Sequence, residues 1–194
     1  MFFEKWDEIL AAPEPPEDFK YSQGIRHYVR GIAQASKGNI EAAKMEQQQL
    51  LPLKDTVSIQ FLDKRDYPAS LLLDIANELL LGEIQFAGKN YDEAVDHYEK
   101  AVAMQDTLPY TEPPFWYYPT RQSLGHALLM AGKASDAEAV YRRDLEYYPR
   151  NGWSMFGLTQ ALDAQNKSTE AEKVRVKFDD VWQMSDIKLS ASRI

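Results

Sequence analysis

The chain has no cysteine, which excludes disulfide bonds, thiolate nucleophiles and cysteine-ligated metals. It has no surplus of positive charge. Its 22 Lys and Arg face 30 Asp and Glu, a formal charge of −8, which argues against a surface that tracks nucleic-acid phosphates. No apolar run approaches the ~18 residues of a membrane-spanning helix; the greasiest stretches, such as Ala76 to Gly82, are interrupted by polar residues. The opening residues, Met1-Phe2-Phe3-Glu4-Lys5-Trp6, lack a charged segment followed by an apolar one. No export signal is read there, and the cytoplasm is the default expectation for a compartment otherwise open. The nine glycines are dispersed, so no phosphate-cradling loop is expected. The three histidines, His27, His97 and His126, have no i,i+4 ligand partner, and neither a metal site nor a cofactor is expected. No serine sits on a strained elbow motif. The acidic cluster Asp92, Glu93, Asp96 lies where a helix start would favour negative charge without any catalysis. A non-enzymatic protein is expected.

What is present is a repeating pattern in an ordinary globular composition, 44% hydrophobic and 27% charged. From Leu124 the chain reads Leu-Gly-His-Ala-Leu-Leu-Met-Ala-Gly-Lys-Ala-Ser-Asp-Ala-Glu-Ala-Val-Tyr, followed by Pro149. Leu124, Gly125, Leu128, Gly132, Ala137, Tyr141 and Pro149 resemble the key positions of the tetratricopeptide repeat (TPR), a helix–turn–helix of 34 residues. Registers beginning at Gly24, Ile75, Tyr118 and Gly152 place similar residues in phase. One position departs: Asp144 stands where the repeat usually has alanine.

The resemblance implies an all-α fold, a right-handed TPR-type superhelix of about four antiparallel helix pairs forming a single domain over residues 1–194. The repeats are expected near 18–53, 69–106, 115–149 and 152–184, with helices near 18–36, 39–51, 69–87, 91–105, 115–131, 134–147, 152–164 and 168–184. Gly31 with Ala43, Gly82 with Ala94, and Gly125 with Ala137 are expected to meet where the helices of a pair cross. Residues 53–69 read as an ordered-to-mobile loop. Lys5-Trp6-Asp7-Glu8-Ile9-Leu10 aligns with Asn90-Tyr91-Asp92-Glu93-Ala94-Val95, the start of a second helix of a pair. A half-repeat over 3–12, cut short by Pro13, Pro15 and Pro16, is therefore expected, so that the chain begins in mid-repeat. In the tail, 185–194, Ile187 and Leu189 alternate with Lys188 and Ser190, which predicts an extended cap folded over the open end of the array.

Further stretches, among them Trp6-Asp7-Glu8-Ile9-Leu10, Leu108-Pro109-Tyr110-Thr111-Glu112-Pro113-Pro114 and Pro149-Arg150-Asn151-Gly152-Trp153, resemble the C-terminal third of a family of long bacterial TPR proteins of unsettled function. That likeness transfers no catalytic residue.

TPR arrays present their first helices on a concave face. Positions 5 and 9 of that face hold Leu79 and Glu83, Gln122 and His126, and Phe156 and Gln160, not the Lys, Arg and Asn of a carboxylate clamp. The aromatic and amide character suits an apolar or amphipathic protein segment instead. The insert 108–121 adds Tyr110, Phe115, Trp116, Tyr117 and Tyr118 among four prolines. Such rings bring large apolar area, and the insert either fills a widened junction or rims a site. The candidate partner-binding residues are Glu83, Phe86, Trp116, Tyr117, Gln122, His126, Met130, Trp153, Phe156 and Gln160. The expected function is a scaffold module that binds a protein or peptide, with no nucleic acid and no membrane span. The alternative is a structural cap for upstream repeats of a longer chain, or self-association with a second copy. A small-molecule pocket under the insert is a third reading.

Overall fold

The computed structural model describes residues 5–193, and among them it has ten α-helices and no strand. They are α1 (Trp6–Ala11), α2 (Lys20–Ser36), α3 (Ile40–Leu50), α4 (Val57–Asp63), α5 (Ala69–Ala87), α6 (Tyr91–Gln105), α7 (Arg121–Met130), α8 (Ala134–Tyr147), α9 (Gly152–Ala164) and α10 (Ser168–Trp182). The chain divides into two compact units, Met1–Tyr118 and Pro119–Ile194. None of the described helices is long and apolar enough to cross a membrane.

Four helix pairs recur, α2 with α3, α5 with α6, α7 with α8, and α9 with α10. Their turns are the same object. Gly38, Lys89, Gly132 and Asn166 have φ of 80°, 64°, 76° and 60°, the left-handed conformation that ends many helices. Each turn also makes the same two backbone bonds. In the first, Gly38 N donates to Ala35 O at 2.9 Å and Asn39 N to Gln34 O at 2.8 Å; Lys89 and Asn90, Gly132 and Lys133, and Asn166 and Lys167 repeat the pattern. Counted from Gly24, Ile75, Tyr118 and Gly152, the left-handed residue falls at one register position in all four. Glycine fills it twice without steric cost; lysine and asparagine fill it with one.

In the first unit α2 packs on α5 as well as on α3. Ala43 and Ala94 are fully buried, as the crossing requires. The atoms closest to the glycines, however, are not the paired alanines. A Cβ on Gly82 would meet the Tyr98 ring, and one on Gly31 would meet the side chain of Leu80 at 2.6 Å. Glycine here makes room for a large side chain between helices. The segment expected as a loop is also structured: residues 51–55 form a 3-10 turn and α4 follows. Ile59 of α4 is fully buried with Ala69 and Leu73, and Tyr21, Ile25, Leu62 and Tyr67 pack around them. Apolar residues too few to show a helical period anchor this short element. Lys54 Nζ donates to Asp74 Oδ1 at 2.6 Å and ties it to α5.

In the second unit α7 begins at Arg121, not near 115. Pro119 disfavours helical backbone at Tyr118, and Thr120, fully buried, precedes the first turn. Tyr141 of α8 is fully buried, and its ring tip lies against Gly125 of α7 and Gly157 of α9; a Cβ at either would collide with it. Trp182 of α10 covers Gly152 in the same way. Asp144, the departure from the repeat pattern, is fully buried. Its Oδ2 accepts from Asn151 Nδ2 at 2.9 Å and Ser154 Oγ at 2.5 Å, joining α8 to the start of α9. Burial, only partly offset by those donors, holds its carboxyl above the usual carboxylate range.

Candidate partner-binding faces

The candidate residues are shared between the two units, and each unit is described by itself. In the first, the insert is built on the side of α2. Trp116 is 3% exposed and meets Tyr28 edge-on at 5.7 Å, while Phe115 meets Tyr67, which meets Tyr21. The Tyr28 and Tyr118 hydroxyls are 3.3 Å apart, and Gln105 Nε2 donates to Tyr118 O at 3.1 Å. Burial, then the neighbouring phenols of Tyr117 and Tyr118, push the Tyr28 hydroxyl well above its ordinary pKa. Trp116 therefore acts as filler; its indole Nε1 is buried without a hydrogen-bond partner. Tyr117 is 63% exposed and is the candidate of the insert that faces water.

Glu83 is 5% exposed and accepts from Tyr98 Oη at 3.1 Å, so it supports the helix pair. Phe86 packs against Tyr91 at 5.2 Å across the α5–α6 turn. Glu83 is thus covered, while Phe86 is half-buried.

The same unit holds an arrangement that the sequence reading missed. His27 on α2 bonds Glu46 on α3 at 2.7 Å, and His97 on α6 bonds Glu78 on α5 at 2.8 Å. Partners are 19 residues apart in both. In the registers from Gly24 and Ile75 the two pairs are equivalent, with acid and base exchanged between the helices. Reading each histidine alone hid this; the common separation from a glutamate was the available signal.

In the second unit Gln122 is 3% exposed, and its Nε2 donates to Asn151 Oδ1 at 3.2 Å. Asn151 Oδ1 also caps α9 by accepting from Trp153 N at 3.1 Å. Gln122 thus belongs to a polar network with Asp144 and Ser154. His126, Trp153, Phe156 and Gln160 are half-buried, and Met130 is 46% exposed. Trp153 meets Trp182 edge-on at 5.9 Å, Phe156 meets Phe178 at 5.7 Å, and Phe178 stacks on Trp182 at 5.6 Å. The Gln160 side-chain oxygen is buried and accepts no hydrogen bond. Five candidates on α7 and α9 therefore keep some area open, and two of them, Trp153 and Phe156, rest on rings of α10.

Comparison with known protein families, curated proteins and solved structures finds no match. Among the described residues, no group of three or more His, Asp and Glu side chains gathers where it could hold a metal ion.

Proposed function

We propose that the chain is a TPR-type module of a right-handed helical array, related to the long bacterial TPR proteins it resembles. In this reading it has no enzymatic role and binds an extended protein segment on α7 and α9. The four identical turns at one register position support the repeat assignment. The binding reading rests on one observation: Gln160 presents a buried acceptor with no donor, in a row with half-buried Trp153 and Phe156. A buried acceptor left unpaired costs about 1–3 kcal/mol, which a peptide N–H would recover once the side chain turns outward. Trp and Phe anchor interfaces, and Met130 can adapt its shape. The test is selection of peptides from a display library against the whole chain, followed by titration on Phe156→Ala and Gln160→Leu. We expect binders that lose affinity at least tenfold on either variant while the melting temperature holds. Binders indifferent to both substitutions would refute the reading.

A second reading, a cap or self-association surface, is favoured by one feature of the first unit. Phe19, Val57 and Phe61 there are 60%, 81% and 53% exposed. Apolar residues at that exposure suit burial by another copy or by further repeats. Sedimentation of the chain at rising concentration separates the readings, since only this one makes mass depend on Val57 and Phe61.

A further inference from the structure

The last helix of the second unit repeats an earlier one in phase. Shifted by 34 residues, the interval between the registers at Tyr118 and Gly152, α8 falls on α10. Ala134, Ser135, Glu138 and Arg142 then correspond to Ser168, Thr169, Glu172 and Val176. On α8 the turn of the next helix pair sits on this face. Gln165 Nε2 donates to Ala134 O at 3.2 Å and to Glu138 Oε2 at 2.8 Å, and Lys167 Nζ donates to Glu138 Oε2 at 2.7 Å. Arg142 Nη2 donates to Glu170 Oε2 at 2.7 Å, in the first turn of α10. The Glu138 side chain is left 12% exposed.

On α10 the same face lies open. α8 packs against α7 and α9, whereas α10 packs against α9. Ser168, Thr169, Glu172, Lys173 and Val176 line a groove of about 500 Å³. The Glu172 side chain is 64% exposed and accepts from Arg175 Nη1 of its own helix at 2.5 Å. Val176 is 61% exposed. The groove therefore keeps the acid that α8 carries at this position and replaces the arginine beyond it by an apolar side chain. What fits it follows from the same two residues. Nitrogen donors in a turn meet Glu172 as Gln165 and Lys167 meet Glu138. The place of Glu170 goes to an apolar residue, since its arginine is here a valine. Lys173, in place of Ala139, adds a cation to the lining and favours an acidic group beside it.

We propose that this groove of α10 is a docking surface for a helical hairpin of a partner protein, whose turn brings an amide and an ammonium group to Glu172 and whose second helix sets an apolar side chain on Val176. The contact copies the one that α8 makes with the turn of the α9–α10 pair, so the unit itself supplies the template for its geometry. It lies on a different helix from the segment-binding face of α7 and α9 and does not depend on that reading.

The absence of cysteine makes a site-specific test available. The probe is a synthetic hairpin with the sequence of residues 150–183 and the substitution Glu170→Cys, since this is the hairpin whose turn α8 already accepts. It is mixed with whole chains carrying Val176→Cys, Lys177→Cys or Arg142→Cys, and with a short bismaleimide linker. Lys177 is exposed about 100° further round α10. Arg142 faces Glu170 within the chain. We expect linking at 176 to be at least tenfold faster than at 177. It should fall at least tenfold when Glu172→Lys is added to the chain, or when Gln165→Glu and Lys167→Glu are added to the probe. Equal rates at 176 and 177 would overturn the proposal, and so would rates indifferent to the charge changes on both sides. Linking at 142 as fast as at 176 would overturn it too, because the probe would then be replacing the native α9–α10 pair. Chains with Val176→Cys that link to one another as fast as to the probe would assign the groove to a second copy and likewise overturn it. None of these outcomes bears on peptides selected against Phe156 and Gln160.

Discussion

Replacing Gly82 by alanine adds one methyl group where the fold leaves no room for it. The new Cβ would lie 2.5, 2.7 and 2.9 Å from three carbons of the Tyr98 ring. Carbon atoms at best separation stand roughly 3.5–4.0 Å apart, so the ring or the helix has to shift. The ring has little freedom to do so: Tyr98 is 1% exposed, and its hydroxyl is bonded to Glu83, itself 5% exposed. Overpacking costs about 1–3 kcal/mol in general, and three contacts below 3.0 Å against a pinned ring put this site in the upper part of that range, about 2–3 kcal/mol. Alanine returns about 1 kcal/mol of helix propensity. The net expectation is a loss of about 1–2 kcal/mol. At about 2–4 °C per kcal/mol for a chain of this size, the melting temperature should fall by roughly 2–8 °C. Lys89→Gly, seven residues on, should do the opposite. Lys89 is exposed and its φ is 64°, so glycine there removes a left-handed penalty of about 1–2 kcal/mol and no contact. Thermal and urea melts of the two variants beside the unaltered chain are the assay. The steric argument fails if Gly82→Ala matches or exceeds the original stability. It is confirmed as a Tyr98 effect if Tyr98→Leu, which shrinks the obstructing side chain, makes Gly82→Ala harmless in a double-mutant cycle.

Two further expectations follow from polar side-chain contacts. Glu78→Ala should destabilise the first unit by about 1 kcal/mol, the scale of a charge-assisted bond that is partly exposed, whereas Glu78→His combined with His97→Glu should recover most of it. The first helix pair already carries that orientation, and an exchanged variant no more stable than the single one would show that the geometry is not interchangeable. In the second unit, Lys167, then Arg142 and Gln165, hold the Glu138 carboxyl down to about 2 from an ordinary 4.5. The unfolded chain therefore takes up that proton first, so the pair's stabilisation is complete above the unfolded value and is lost as pH falls from 4.5 towards 2. Denaturation midpoints across that window should fall less steeply for Glu138→Gln; parallel profiles would place the acid sensitivity elsewhere.

The pattern of small and large residues made the helix pairs legible, because a steric requirement repeated four times leaves the same residues in phase. Gly38 and Gly132 announced their turns; Lys89 and Asn166 occupy identical turns with no such sign, since the hydrogen bonds that define them involve only backbone. Asp144 stood out as wrong for its position, but its role could not be read, because its partners Asn151 and Ser154 belong to the next helix pair. The aromatic run at 115–118 was conspicuous, and whether it filled or rimmed a site depended on which ring was covered. Trp116 is covered and Tyr117 is not, a distinction that lies in the path of the backbone between Pro114 and Pro119. Of the ten candidates, Glu83, Trp116 and Gln122 are buried, each beneath a neighbour from a distant part of its own unit. Ser192 is fully buried with its hydroxyl bonded to that of Tyr141, and this was hidden for the same reason: alternation along the tail predicts an extended path but not where it ends.

The exchanged histidine–glutamate pairs of the first unit bear on how the chain finds its own partners while folding. Two helical hairpins of similar length and pattern invite cross-matching, in which α2 collapses against α6, or α5 against α3. Had both pairs pointed the same way, such a mismatch would have met a complementary charge and gone unnoticed. As built, it sets His27 facing His97, and Glu78 facing Glu46, so a wrongly matched couple confronts two carboxylates where the correct one joins an acid to an imidazole. Like charges at that spacing repel. Such a difference would favour each hairpin's own second helix over its neighbour's, at two half-buried positions in each.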